Sequence, residues 1–196
     1  MKVAALVLAA GGSARLRRPK QLLRFQEESL VRLAVAAAHG AGSSPILVVL
    51  GRDRAEITVE LSDLPVEILP NEWWERGIGT SIRVGIAALP PAEAVVILTC
   101  DQPYVSAELI SRLIEEQTNS QREMVASAYA GTIGVPALFT YACFEKLLSL
   151  GDQQGAKALL LAQVDAVGRV DFAEGAIDID TPEDYADLIA RRRRNA

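Results

Sequence analysis

Unbroken apolar runs alternate along this chain with stretches whose apolar positions recur at helical spacing. Val3-Ala4-Ala5-Leu6-Val7-Leu8, Ile46–Leu50, Ala94–Thr99 and Met124–Ala128 are the runs, each the length of one strand. Runs of this kind read as strands buried on both faces. Val66-Glu67-Ile68-Leu69, stopped by Pro70, is a shorter strand. Between them, helical periodicity covers Leu30 to Ala38 and Thr80 to Leu89, the latter with Ile82, Ile86 and Leu89 on one side. A helix capped by Ser106 turns Leu109, Ile110, Leu113 and Ile114 inward. After Ala128 the alternation becomes less regular. Tyr141 to Leu150 and Ala156 to Ala162 predict helices, and Val164 to Val170 a strand. Thr181-Pro182-Glu183-Asp184 has the form of a helix start, with Thr181 as N-cap, Pro182 at N1 and an acid at N3.

This order predicts an α/β fold of three layers, with a mostly parallel sheet between helices. The irregular second half is expected to add an antiparallel strand and the acceptor side. No repeat, linker or low-complexity segment interrupts the chain. One domain over 1–196 is therefore expected, with about 1–105 binding a nucleotide and about 106–196 an acceptor. The 196 residues suffice for a full core, and half of them are hydrophobic.

A net charge of −5 gives no general electrostatic reason to bind nucleic acid. The one basic cluster, Arg191-Arg192-Arg193-Arg194, follows a helical stretch and suits a solvated helix C-terminus. No signal peptide and no membrane span is expected, because no stretch approaches roughly 20 apolar residues. Cys100 and Cys143 lack metal-ligand spacing, and His39 falls near a helix end. A cytoplasmic enzyme without zinc or disulfides is the expectation.

The candidate chemistry begins where the first strand ends. Leu8-Ala9-Ala10-Gly11-Gly12-Ser13-Ala14-Arg15-Leu16-Arg17-Arg18-Pro19-Lys20 is a small-residue loop carrying four cations. It lies at the carboxyl edge of the sheet, where open α/β sheets bind ligands. Gly11 and Gly12 let backbone N–H groups approach a ligand, and Arg15 and Lys20 can close over an anion. This arrangement suits a polyphosphate. The fourth strand ends on the same edge in Cys100-Asp101-Gln102-Pro103. A carboxylate at a buried strand tip is costly unless paired or metal-bound, and a hard oxygen ligand beside a polyphosphate suits Mg²⁺. Gly77, Gly79 and Ser81, at a helix start, can receive an anion or a ribose. Trp73 and Trp74 offer either a ring-stacking surface or packing. Asp178 and Asp180 share one face by alternation. Asp180 reads equally as a metal contact opposite Asp101 or as a helix cap. Gly77 to Ile82 lacks the last glycine of a dinucleotide fingerprint, and Gly151 to Lys157 has the wrong spacing for a Walker loop.

Five blocks together resemble the MobA-like NTP transferases, nucleotidyltransferases that act on molybdenum cofactor. They are the Leu8–Lys20 loop, Asn71 to Gly85, Asp101-Gln102-Pro103, Gly134 to Lys157, and Asp178 to Tyr185. The family order is kept across nearly the whole chain. Departures are Leu16 for Met, Arg17 and Cys100 for Gly, Val135 for a polar residue, and one extra residue between Asp152 and Gly155. The resemblance implies a Rossmann-like nucleotidyltransferase fold of the GT-A-like kind. It also implies an NTP donor, molybdopterin or molybdenum cofactor as acceptor, and Mg²⁺ on Asp101. The Gly134 to Lys157 block is implied to serve the acceptor. The Ala9-Ala10-Gly11 form is similar to the cytidylyl branch, which implies CTP.

Arg15, Lys20 and Asp101 are then the candidate catalytic residues. Leu8, Ala9, Ala10, Gly11, Gly12, Ser13, Arg15, Lys20, Asn71, Gly77 and Ser81 are the nucleotide-binding candidates. Asp101 and Asp180 are the metal candidates. Two alternatives stay open: a sugar-1-phosphate nucleotidyltransferase, and a non-catalytic nucleotide-binding chaperone that delivers cofactor to a molybdoenzyme.

Overall fold

The computed structural model describes residues 1–16 and 18–195, with the side chains of 193–195 left aside. Arg17, one of the loop's departures, therefore lies outside the described residues, as do the side chains of Arg193 and Arg194.

The predicted apolar runs form the middle of a seven-stranded sheet. In chain order the elements are β1 (Val3–Ala9), the short hairpin strands β2 (Arg24–Phe25) and β3 (Glu28–Ser29), α1 (Leu30–Gly40), β4 (Ile46–Leu50), α2 (Arg54–Glu60), β5 (Glu67–Pro70), α3 (Ile78–Ala88) and β6 (Ala94–Thr99). There follow α4 (Ala107–Ser120), β7 (Met124–Tyr129), β8 (Thr132–Thr140), α5 (Phe144–Leu148), α6 (Ala156–Ala162), β9 (Gly168–Asp171) and α7 (Pro182–Asn195). The sheet order is β5-β4-β1-β6-β8-β7-β9. β8 runs antiparallel to both its neighbours, and every other pairing in this sheet is parallel.

Alternation along the central strands builds two cores. Val3, Ala5, Val7 and Ala9 of β1 face α1, α2 and α4. Ala4, Leu6 and Leu8 face α3, α5 and α6. The layers are thus helix, sheet, helix, as the order of elements predicts. A small third core of Leu16, Leu23, Phe25, Leu30, Ile179 and Leu188 ties the loop after β1 to the hairpin and to α7. Burial of Leu16 explains why an apolar residue stands at that loop position.

The capping signals are realised. Ser106 Oγ accepts from the Leu109 N–H at 3.2 Å, and Thr181 Oγ1 accepts from the Asp184 N–H at 3.2 Å. Asp184 in return accepts from Thr181 N–H at 2.8 Å. Other expectations need correction. The helix expected over 141–150 is split into a 3₁₀ turn at Tyr141–Cys143 and α5. The strand expected over 164–170 starts only at Gly168, after a 3₁₀ turn at Val164–Ala166. Asp178 to Asp180 is not a strand. β8 supplies an antiparallel strand from the second half, although it contains Gly134 and Pro136. Its register on β7 jumps from Ala126↔Ala137 to Ser127↔Gly134, so Val135 and Pro136 fall in a bulge, where proline is tolerated. No helix among the described residues is long and apolar enough to cross a membrane.

Candidate active site

Parallel pairing of β4, β1 and β6 brings their carboxyl ends to one edge of the sheet. The loop after β1 is shaped there mainly by Gln21, which no motif marks. Gln21 is buried, and its Nε2 donates to the carbonyls of Ala9 at 2.7 Å and Gly11 at 2.9 Å. Ser13 Oγ accepts from the Lys20 N–H at 2.9 Å. The loop is thereby closed on itself, which turns Lys20 inward toward the tip of β6. Ile179 donates its N–H to the Asp101 carbonyl at 3.0 Å, and its own side chain is fully buried. That anchor swings Asp178 and Asp180, on either side of it, toward Asp101.

The charges meet at Lys20. Its Nζ lies 2.6 Å from Asp101 Oδ2 and 3.0 Å from Asp180 Oδ1. Arg15 reaches Asp180 Oδ2 at 2.7 Å from the solvent side, its side chain 67 % exposed against 15 % for Lys20. Burial pulls the Lys20 pKa down, but the acidic groups around it, Asp101 foremost, together outweigh it and hold the ammonium above its ordinary range. Burial opposes ionisation of Asp180, yet Lys20 and Arg15 hold its carboxyl below the usual range. Asp178 pairs directly with no cation among the described residues: burial, then Asp101 and Asp180, outweigh the nearby Lys20 charge and push it up to about 6. Burial lifts the Cys100 thiol to about 12, so Cys100 behaves as a small buried residue and not as a thiolate.

Leu8, Ala10, Gly11, Lys20, Ser81 and Asp101 border one cavity of about 180 Å³, together with Trp74 and Ile78. Gly12 and Ser13 border an adjoining cleft of about 300 Å³ that also carries Arg18 and Arg52. Ala9 points into the opposite core and offers the site only its backbone. Trp74 is a wall of the cavity: a Cβ on Gly12 would stand 2.8 Å from its ring. Trp73 is exposed and stacks under Arg76 at 4.3 Å. Asn71 lies buried behind the wall. Its Nδ2 donates to Thr80 Oγ1 at 2.8 Å and Ser81 Oγ at 2.9 Å, and its Oδ1 accepts from Trp73 N–H at 2.9 Å. It fixes the start of α3 and thereby presents Ser81.

That helix start is engaged by the chain itself. Gly77 donates its N–H to the Trp74 carbonyl, and Gly79 to the Asp152 carbonyl at 2.9 Å. The loop 151–154 lies so close that a Cβ on Gly79 would stand 2.1 Å from the Gly151 carbonyl oxygen, and Gly77 has φ +132°. Arg83, one turn into α3, donates to the Leu150 carbonyl and the Asp152 carboxylate. The link between Asp152 and α3 depends on a fold-level approach that motif spacing does not encode. Gly79→Ala is expected to lower stability by about 1–3 kcal/mol, because backbone meets backbone and neither yields cheaply. Urea unfolding checks this, and an unshifted midpoint would contradict the close approach.

Comparison with known proteins supplies the rest. The MobA-like NTP transferase domain matches residues 5–167. The chain is 29 % identical over 198 residues to the purine catabolism protein PucB of Bacillus subtilis (strain 168), covering 94 % of each. It is 26 % identical over 204 residues to a probable molybdenum cofactor guanylyltransferase of Geobacillus sp. (strain WCH70), covering 96 % of this chain and 98 % of the relative. Among solved structures, Rv0371C of Mycobacterium tuberculosis H37Rv in complex with manganese superposes with a TM-score of 0.82 at 25 % identity, over 97 % of this chain and 99 % of that one. The match spans β1 to the last turn before β9, and so includes the phosphate-loop candidate and Asp101: the chain belongs to the MobA-like NTP transferase family.

Proposed function

We propose that this nucleotidyltransferase moves an NMP unit from an NTP, CTP by preference, to the terminal phosphate of molybdopterin or molybdenum cofactor and releases pyrophosphate. The observation that carries the proposal is the convergence of the Gly11 loop, Lys20 and Asp101 on one cavity at the carboxyl edge of the sheet. The relative named as a molybdenum cofactor guanylyltransferase supports the acceptor class.

The residues fit a divalent ion. Asp101 and Asp180 already direct one carboxylate oxygen each at a single cationic point, the Lys20 ammonium. Among the described residues no three His, Cys, Asp or Glu side chains cluster to hold an ion alone. Two carboxylates with the remaining positions open to phosphate and water are the pattern of Mg²⁺ sites. Asp101 and Asp180 would hold the ion, and when bound it would neutralise charge on phosphate oxygens. A manganese-bound relative of this fold agrees with a divalent requirement.

The protein's own part is positioning and charge. The acceptor phosphate oxygen attacks the α-phosphorus, and the bond from that phosphorus to the bridging oxygen breaks as pyrophosphate leaves. Loop N–H groups from Gly11 to Ser13 cradle the phosphates, and Arg15 grips them from the solvent side. Lys20 meets the charge that builds on the departing pyrophosphate. Ala10, with Leu8 and Trp74, bounds the base. A methyl group at Ala10, in place of glycine, leaves less room for a purine. The expected result is a higher kcat/KM with CTP than with GTP when molybdopterin is the acceptor. A clear GTP preference would overturn the base assignment.

A further inference from the structure

The Lys20 ammonium stands on the point where Asp101 and Asp180 converge, 2.6 Å from one carboxylate and 3.0 Å from the other. These are the carboxylates proposed above to hold the divalent ion, so a role for Lys20 at this point rests on that functional reading. An ammonium and a divalent ion cannot share this seat. Each draws on the same two carboxylates, and as like charges they repel. The backbone of Lys20 is pinned, through its N–H on Ser13 Oγ and through buried Gln21 beside it. Its four-carbon stem has bonds that can rotate once the ammonium has another partner. The same lysine borders the nucleotide cavity, beside Gly11 and Ala10. A triphosphate in that cavity offers the ammonium a more highly charged partner within reach of the same stem.

We propose that Lys20 closes the metal seat in the nucleotide-free protein, and that the triphosphate opens it by drawing the ammonium onto its own oxygens. Nucleotide and ion therefore bind as a mutually dependent pair, and the free protein binds the ion weakly. Linkage makes the dependence reciprocal: whatever factor the nucleotide adds to ion affinity, the ion adds to nucleotide affinity. Lys20 then has two successive duties, as a plug of the empty site and as a phosphate contact of the filled one. Arg15 cannot replace it as plug, since it approaches Asp180 on the other oxygen and from solvent.

The test is titration of Mn²⁺ into the purified protein, read by loss of the free-ion electron paramagnetic resonance signal. It is run alone and with α,β-methylene CTP or its guanosine counterpart, which resist cleavage between the α- and β-phosphorus, and the Mn²⁺ held by the analogue without protein is measured and subtracted. For the parent, the analogue is expected to tighten Mn²⁺ binding by at least about tenfold, within the ordinary range of coupling between two sites. Lys20→Met, which keeps the stem and removes the charge, is expected to tighten Mn²⁺ binding in the absence of nucleotide by a similar factor, and to shrink the coupling toward one. Lys20→Gln is measured in parallel, and Lys20→Arg, which keeps a cation, is expected to stay weak. A gain in neither neutral variant, or a parent that binds Mn²⁺ equally well with and without the analogue, overturns the plug. If the functional reading itself fails, the parent binds neither analogue with Mn²⁺ and releases no pyrophosphate. If only the plug fails, both persist.

Discussion

Asp101→Ala is expected to lower metal-dependent nucleotidyl transfer on the order of 10²- to 10³-fold, the usual effect of removing a group that stabilises transition-state charge. Asp101 sits at the tip of β6, and Lys20 pairs with it at 2.6 Å. Among the described residues, no other carboxylate borders the cavity proposed for the nucleotide from the sheet: Asp180 and Asp178 come from the segment before α7. The fold should survive. Ile179 is anchored on the Asp101 carbonyl, which alanine retains, and Lys20 keeps Asp180 as partner. A thermal unfolding scan separates loss of activity from loss of structure. Turnover within a few-fold of the parent would remove Asp101 as principal metal ligand.

Lys20→Ala carries the second large effect, a fall in kcat on the order of 10²-fold with a smaller change in nucleotide KM. Lys20 is largely shielded from water and aimed at the reacting edge, so its ammonium acts in a low-dielectric setting where a charge counts for more. In the proposed role its contact would strengthen as pyrophosphate departs, and an interaction that grows toward the transition state appears in kcat. Arg15 is mostly exposed and reaches the site from outside. Arg15→Ala is expected to raise nucleotide KM and to spare kcat. Steady-state kinetics on both variants decides it. A change confined to KM for Lys20→Ala would make it a binding residue alone. The two roles proposed for Lys20 also diverge in one variant: removing the charge should slow turnover while easing entry of the ion.

Much of this architecture is legible in the chain. Strands buried on both faces leave unbroken apolar runs, so β1, β4, β6 and β7 announce themselves, and with them the edge on which Gly11 and Asp101 meet. Residues that act by bringing distant segments together leave no such mark. Gln21 is one polar residue after Lys20, and its two carbonyl partners are specified only once the loop has closed. Gly77 and Gly79 read as an anion cradle from spacing, yet their neighbour is the carbonyl-rich loop 151–154, which comes more than 70 residues later. β8 leaves no unbroken apolar run, because Gly134 and Pro136 interrupt it, and a bulge absorbs the proline. For Asp180, local pattern balances capping against metal contact. Thr181 and Asp184 supply the cap between them, and the Asp180 carboxylate is turned to Lys20 and Arg15.

Joining a nucleotide to a phosphate acceptor is the chemistry proposed for this site. The most direct measurement is pyrophosphate release by the purified protein with Mg²⁺ and each NTP in turn, with and without molybdopterin. Release is expected only when both substrates are present, fastest with CTP, with a product that carries one NMP per acceptor by mass spectrometry. Nucleotide binding without pyrophosphate release on any NTP would contradict the transferase assignment and make the protein a carrier. Release that depends on a sugar 1-phosphate, and not on molybdopterin, would contradict the acceptor.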